Sequence, residues 1–168
     1  MKHRFTLSEE DYFRYQWFMF LNNPAAKRTM RIQQFLPMAV FVAVAIFYLF
    51  TEKSIKDLLP LAGVLVLWPF VYVFFFKRSM RKKLKSLIAR MKDDLPLGEH
   101  TVTIEDGALA DGDVRFSFDE IRGICEADRH YYIFYGDHPA AYLLPKEAAD
   151  AQLAALAEQK KTDTPPFV

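Results

Sequence analysis

Two apolar stretches, residues 35–50 and 58–76, lie seven residues apart and constrain this chain more than any other feature. The second, LLPLAGVLVLWPFVYVFFF, runs nineteen residues without a charged side chain, and a helix needs about 20 to cross the hydrocarbon core of a bilayer. The first holds sixteen uncharged positions, or nineteen counted from Ile32 across Gln33 and Gln34, a shortfall that snorkelling and local thinning make up. Lipid offers no partner to backbone N–H and C=O groups, so both stretches are predicted to be helical and joined as a hairpin. The opposing reading is a soluble protein with two core helices apolar on every face. A chain of 168 residues has little interior in which to bury them.

Charge orients the hairpin. Lys27, Arg28 and Arg31 precede the first stretch; Lys77, Arg78, Arg81, Lys82, Lys83 and Lys85 follow the second; the link at 51–57 nets to zero. Basic flanks stay on the cytoplasmic side. The expectation is a multi-pass protein of a bacterial inner membrane with both termini cytoplasmic. Residues 1–34 place Glu9, Glu10 and Asp11 before any apolar core, unlike a cleavable signal peptide. Neither stretch carries an acidic, basic or histidine side chain, so no ion or proton pathway is expected. Pro37 and Pro60 read as first-turn prolines, whereas Pro69 lies mid-span and is predicted to kink its helix.

The net charge of +1 conceals a division. Residues 1–34 carry +3, residues 77–94 carry +6, and residues 95–168 carry −8. The basic block reads as a juxtamembrane helix, residues 77–95, with an apolar stripe of Met80, Leu84, Leu87, Ile88, Met91 and Leu95. It is an anchor to membrane lipids, or a face that packs on the soluble domain or a second copy in a homodimer. The acidic block argues against nucleic acid as a partner and against binding of anionic headgroups. Alone, it is expected to fold as a β-rich domain that leaves anionic vesicles unbound.

The first residues read as a strand, 2–7, followed by a helix that Ser8 caps and Glu9, Glu10 and Asp11 favour. Its aromatic residues at 12, 13, 15, 17, 18 and 20 either lie in the membrane interface or pack on protein. Asn22-Asn23-Pro24 ends it. From His100 the period becomes two, with turn signals at Asp106-Gly107 and Asp111-Gly112 and about six short strands. Pro145 opens a helix over 146–160. The divisions are an amino-terminal segment 1–31, the hairpin 32–76, the basic helix 77–95, a cytoplasmic domain 96–160 and a disordered tail 161–168. The fold class is a membrane α-helical hairpin carrying a small α+β or all-β domain.

Phe118, Ile121, Ile124 and Glu126, the run Tyr131-Tyr132-Ile133-Phe134-Tyr135, and Leu143-Leu144-Pro145-Lys146 together resemble the YcxB-like bacterial membrane proteins. The opening FTLSEEDY, residues 5–12, is similar to them as well. Phe118 stands where such proteins often have Trp, and Glu147-Ala148 departs from their basic-aromatic ending. The resemblance implies a pleckstrin-homology-like bent antiparallel sheet capped by a carboxy-terminal helix, and it implies no activity.

Catalytic patterns are not expected. His3, His100, His130 and His138 share no metal-ligand spacing with the single cysteine, Cys125. Asp137-His138 belongs to a Gly-Asp-His-Pro turn. The chain is read as a non-enzyme without cofactor or metal: a membrane-anchored protein-interaction module with an unknown protein partner. The alternatives are immunity against a membrane-active peptide or toxin, and an accessory subunit of a transporter.

Overall fold

The computed structural model describes residues 2–50, 59–105, 107–137 and 140–166. The link at 51–57 with Leu58, Asp106 of the first turn signal, and His138 and Pro139 of the Gly-Asp-His-Pro turn lie outside the described residues. Two compact units are present: Met1–Asn23 together with Ser86–Val168, and Pro24–Lys85.

The first unit begins with β1 (Lys2–Leu7), which pairs antiparallel with β2 (Gly98–Glu105) from Lys2↔Thr103 to Leu7↔Gly98. Strands β3 (Ala108–Asp111) and β4 (Val114–Ser117) extend this sheet in the order β1-β2-β3-β4. Strands β5 (Ile121–Glu126), β6 (His130–Tyr135) and β7 (Ala141–Pro145) form a second antiparallel sheet. Gly107 and Gly112 adopt φ values of 71° and 56° at the first two hairpin turns, a region glycine enters without a Cβ clash. One core joins Val102, Ile104, Leu109 and Phe116 of the first sheet to Ile124, Ile133 and Leu144 of the second, and to Leu153 and Ala157 of α4 (Ala151–Gln159).

The second sheet is buried on both faces. Its alternate residues Cys125, Tyr132, Phe134 and Leu143 form another core with Leu7 and with Tyr15 of α1 (Glu9–Asn22). Tyr12, Phe18 and Met19 of α1 pack against it. Double burial is why β6 reads as the unbroken apolar run YYIFY instead of alternating. It also decides the packing of one side of α1. A capping box holds the helix start: Asp11 N donates to Ser8 Oγ at 3.3 Å and Ser8 N donates to Asp11 Oδ2 at 2.9 Å. Loss of such a cap costs about 1 kcal/mol.

The second unit contains α2 (Pro24–Phe50) and most of α3 (Leu59–Arg90). Both are long and apolar enough to cross a membrane, and no residue of their apolar windows is buried. Tyr72 of α3 donates a hydrogen bond to Gln33 of α2 at 2.6 Å. Pro60 occupies the first turn of α3, and Pro69 lies inside that helix. Pro37 does not occupy a first turn. Because α2 begins at Pro24, immediately after the α1 cap residue Asn23, Pro37 falls in the helix interior.

Three further expectations are corrected. The domain does not start at 96, since β1 and α1 belong to it; nothing local in the sequence signals a strand pairing across so many residues. The helix expected over 146–160 is broken, with a single tight turn at Lys146–Ala148 before α4. Asp150 caps α4 by accepting from Leu153 N at 2.7 Å, and an Asp that bonds forward in this way starts a helix instead of continuing one. The tail is ordered through its first residues. Ile124 N donates to Lys160 O and Thr162 N to Ile124 O, both at 3.0 Å, and Pro165 is buried. The tail therefore covers β5, an edge strand whose open hydrogen-bonding groups need a partner. Gly123 leaves it room: a Cβ there would meet Thr162 Cγ2 at 3.0 Å.

Residues 2–23 joined to 86–168 by a flexible linker, replacing the apolar unit, are expected to give a soluble, cooperatively unfolding β-rich protein. Residues 95–168 alone are expected to stay unfolded or aggregate, because β2 loses its partner and Tyr132 and Phe134 lose their cover. Circular dichroism and size-exclusion chromatography separate the two outcomes. Within the linked form, Tyr15→Ala should cost about 3 kcal/mol, as for other large aromatic truncations in a core.

Candidate functional site

The residues that carried the family resemblance gather around β5 and the carboxy-terminal segment. Glu126, at the end of β5, accepts from Lys146 Nζ through Oε1 and from Lys161 Nζ through Oε2, each at 2.7 Å. The Lys146 ammonium also lies 5.6 Å from the centre of the Tyr131 ring. The hydrogen bonds from Lys146 and Lys161 hold the Glu126 carboxyl down at about 2. One carboxylate thus ties β5 to the end of β7 and to the tail.

Ile121 and Ile124 are buried, and Phe118 and Tyr135 pack half-buried on the same core. The carbonyls of Phe118 and Ile121 both accept from Lys160 Nζ, at 2.9 and 2.8 Å. Tyr135 stacks on Phe116 with ring centres 4.1 Å apart. Pro145 pairs with His130 at the end of the β6–β7 ladder. These eight positions pack or hydrogen-bond within the first unit.

The basic anchor residues lie elsewhere. Lys77, Arg78, Arg81, Lys82 and Lys85 line a shallow groove with Phe74 on α3, and Lys83, also exposed, lies outside it. The apolar stripe expected along this helix is only partly realised: Ile88 is buried, while Leu87 and Met91 are 50% and 43% exposed. The stripe is therefore narrower than its period suggested.

Two polar clusters had no sequence signal. Asp111 Oδ2 contacts His100 Nδ1 at 2.7 Å and accepts from Tyr142 Oη at 2.8 Å; His100 Nε2 lies 3.1 Å from Pro96 O. Burial, and then the bond to the Asp111 carboxylate, push the Tyr142 hydroxyl far above its ordinary value. In the second cluster, buried His130 places Nε2 3.5 Å from Asp11 Oδ1. Burial pushes the His130 imidazole below its ordinary value against the opposing pull of Asp11, with Arg14 and Arg129 adding to the depression. His3, Arg4, Arg129 and Glu147 complete a polar hollow around this pair. Packing between the two sheets and of α1 on the second sheet brings these residues together from distant parts of the chain, so spacing could not reveal them. Burial also pushes the Cys125 thiol up, the state of a structural rather than a reactive cysteine. Among the described residues no group of three or more His, Cys, Asp or Glu side chains could hold a metal ion.

Comparison with known protein families, curated proteins and solved structures returned no match.

Two acid-side losses of stability are expected. His130 binds its proton more weakly folded than unfolded, so its contribution is complete above about pH 6.5 and falls as the pH drops below that value. Glu126 contributes fully above its ordinary 4.5 and loses its contribution as the pH falls from there to about 2. Thermal unfolding of the full chain in detergent should show both windows. His130→Gln should flatten the first alone and Glu126→Gln the second alone; a single unchanged slope in both variants would assign the acid sensitivity to other groups.

Proposed function

We propose that this chain is a membrane-anchored protein-interaction module. Its helical hairpin holds a two-sheet domain at the cytoplasmic face of a bacterial inner membrane, with both termini inside. The observation that carries this reading is the β1–β2 ladder. One folded unit is built from the chain before α2 and the chain after α3, which requires that any crossings of a bilayer by the intervening apolar helices be even in number. Two helices of sufficient length meet that condition. The basic residues outside each helix and the neutral link between them then select the cytoplasmic side for the domain.

The arrangement of four and three antiparallel strands followed by α4 supports a pleckstrin-homology-like domain of the YcxB-like kind. Its surface chemistry favours a basic protein segment as partner. Asp113, Asp119, Glu120 and Glu158 are all exposed, and residues 95–168 carry −8. Such an interaction forms quickly and weakens with salt, since exposed charges more than a Debye length of about 10 Å apart are screened at moderate ionic strength.

Reporter fusions after residue 54 and after residue 168 test the topology. The reading expects activity of an external reporter at the first position only, and activity at the second would reject it. Photo-crosslinkers at Asp113 and Asp119 of the full chain, in native membranes, test the function. They should capture a partner, and with the crosslinker at Asp113 the yield should fall when Asp119→Asn and Glu120→Gln are combined. Capture of the same partner by residues 24–85 alone would move the binding surface to the hairpin.

A further inference from the structure

Helix α1 has a second apolar row. Tyr12, Tyr15, Phe18 and Met19 turn towards the sheet, while Phe13, Trp17 and Leu21 recur every fourth residue along an adjacent line. Opposite that line stands the β5–β6 turn, Ala127 to His130. Between them runs a groove of about 360 Å³, floored by Phe18 and Tyr132. It lies wholly within the first unit. Phe13, Trp17, Phe18 and Leu21 are half-buried there, Tyr132 is buried, and Arg14, Asp128 and Arg129 also line it.

We propose that this groove seats on the headgroup–acyl boundary of the bilayer, taking part of a phospholipid chain under its headgroup. This rests on the membrane reading of α2 and α3 and extends it to the folded domain. Three observations commit it to lipid. The groove is partly open and its volume sits near the lower end of those of small-molecule sites, about 300–1,000 Å³, so it can hold part of a chain without enclosing a ligand. Its composition is aromatic and apolar with arginine at the edge, and Trp and Arg are side chains that favour the boundary between acyl chains and headgroups. Finally, α1 ends at Asn22, and after the single cap residue Asn23 the chain continues as α2, whose apolar run begins at Ile32. At 1.5 Å per residue the eight residues from Pro24 to Arg31 rise only about 12 Å along α2 before that apolar run. Lys27, Arg28 and Arg31 in that short run suit anionic headgroups.

The chain's two tryptophans, Trp17 and Trp68, make the test specific. Trp68→Phe leaves only the groove reporter, and Trp17→Phe only the α3 reporter. Each full-length variant is reconstituted into phosphatidylcholine vesicles, with and without phosphatidylglycerol, containing lipids brominated near the headgroup or deep in the acyl chain. The proposal expects Trp17 to lose emission to shallow bromine and Trp68 to deep bromine. Phe13→Glu with Leu21→Glu should relieve the quenching of Trp17, and the sheet-facing row keeps that variant folded, which circular dichroism checks. Arg129→Gln should lower the preference for phosphatidylglycerol about fivefold, the equivalent of about 1 kcal/mol for one basic residue at an anionic surface. Quenching of Trp68 without quenching of Trp17 overturns the groove proposal and leaves the membrane hairpin standing. Quenching of neither overturns both. Shielding of Trp17 from aqueous acrylamide without quenching by bromine gives the groove to a protein, and also overturns the proposal.

Discussion

The β1–β2 ladder is the interaction on which the rest depends. It pairs six residues at the amino terminus with six that follow the apolar helices, and so makes the hairpin an insertion within one folded domain. Loop-closure entropy grows only slowly with length, so a long insertion between paired strands is tolerable. Helix α1 follows directly from this ladder: Ser8 caps it one residue after β1, and it lands on the outer face of the second sheet through Tyr15 and Phe18. Near the point where the chain returns to this unit, exposed Lys92 and Glu9 meet at 2.8 Å. That contact is weak at the surface, and the ladder and the aromatic core carry the closure.

Charge and apolar surface divide the work. The carboxylate of Glu126 fastens strand ends and tail at one point, while most of the other acids point to solvent. The acidic excess therefore shapes encounters with partners more than it shapes the fold. The aromatic residues do the opposite. Phe116, Tyr132 and Phe134 are almost wholly buried, and the pairs Phe116–Tyr135 and Tyr15–Tyr132, with centres 4.1 and 5.2 Å apart, link elements far separated in sequence. Such rings contribute large buried area and a geometric preference besides.

Local features were legible in the sequence and long-range ones were not. The apolar helices, the Ser8 cap, the Pro60 first turn and the strands from β2 to β7 each follow from a period or a residue preference acting over a few positions. The aromatic crowding of α1 left two readings open; in the structure one row covers the sheet, as the packing reading required, and a neighbouring row lines a groove. Membership of β1 and α1 in the domain was hidden, because strand partners carry no label of their distance. The order of the tail's first residues was hidden for a related reason: TDTPPFV has the composition of a free end, and the place of Thr162 is set by the small Gly123 and the open edge of β5. The Asp111 and His130 clusters arise from register together with packing between the sheets and against α1.

Register is also what the most direct measurement reads. Arg4 and Thr101 are directly opposed and exposed on the ladder, within the separation a disulfide spans. Lys2 and Glu99 share that face but are offset by four residues, about 13 Å along the strands. In membranes, with Cys125 replaced by Ala, Arg4→Cys with Thr101→Cys should form an intramolecular disulfide under mild oxidation. Lys2→Cys with Glu99→Cys should not. Equal cross-linking of both pairs, or none at Arg4 and Thr101, would contradict a domain built across the hairpin.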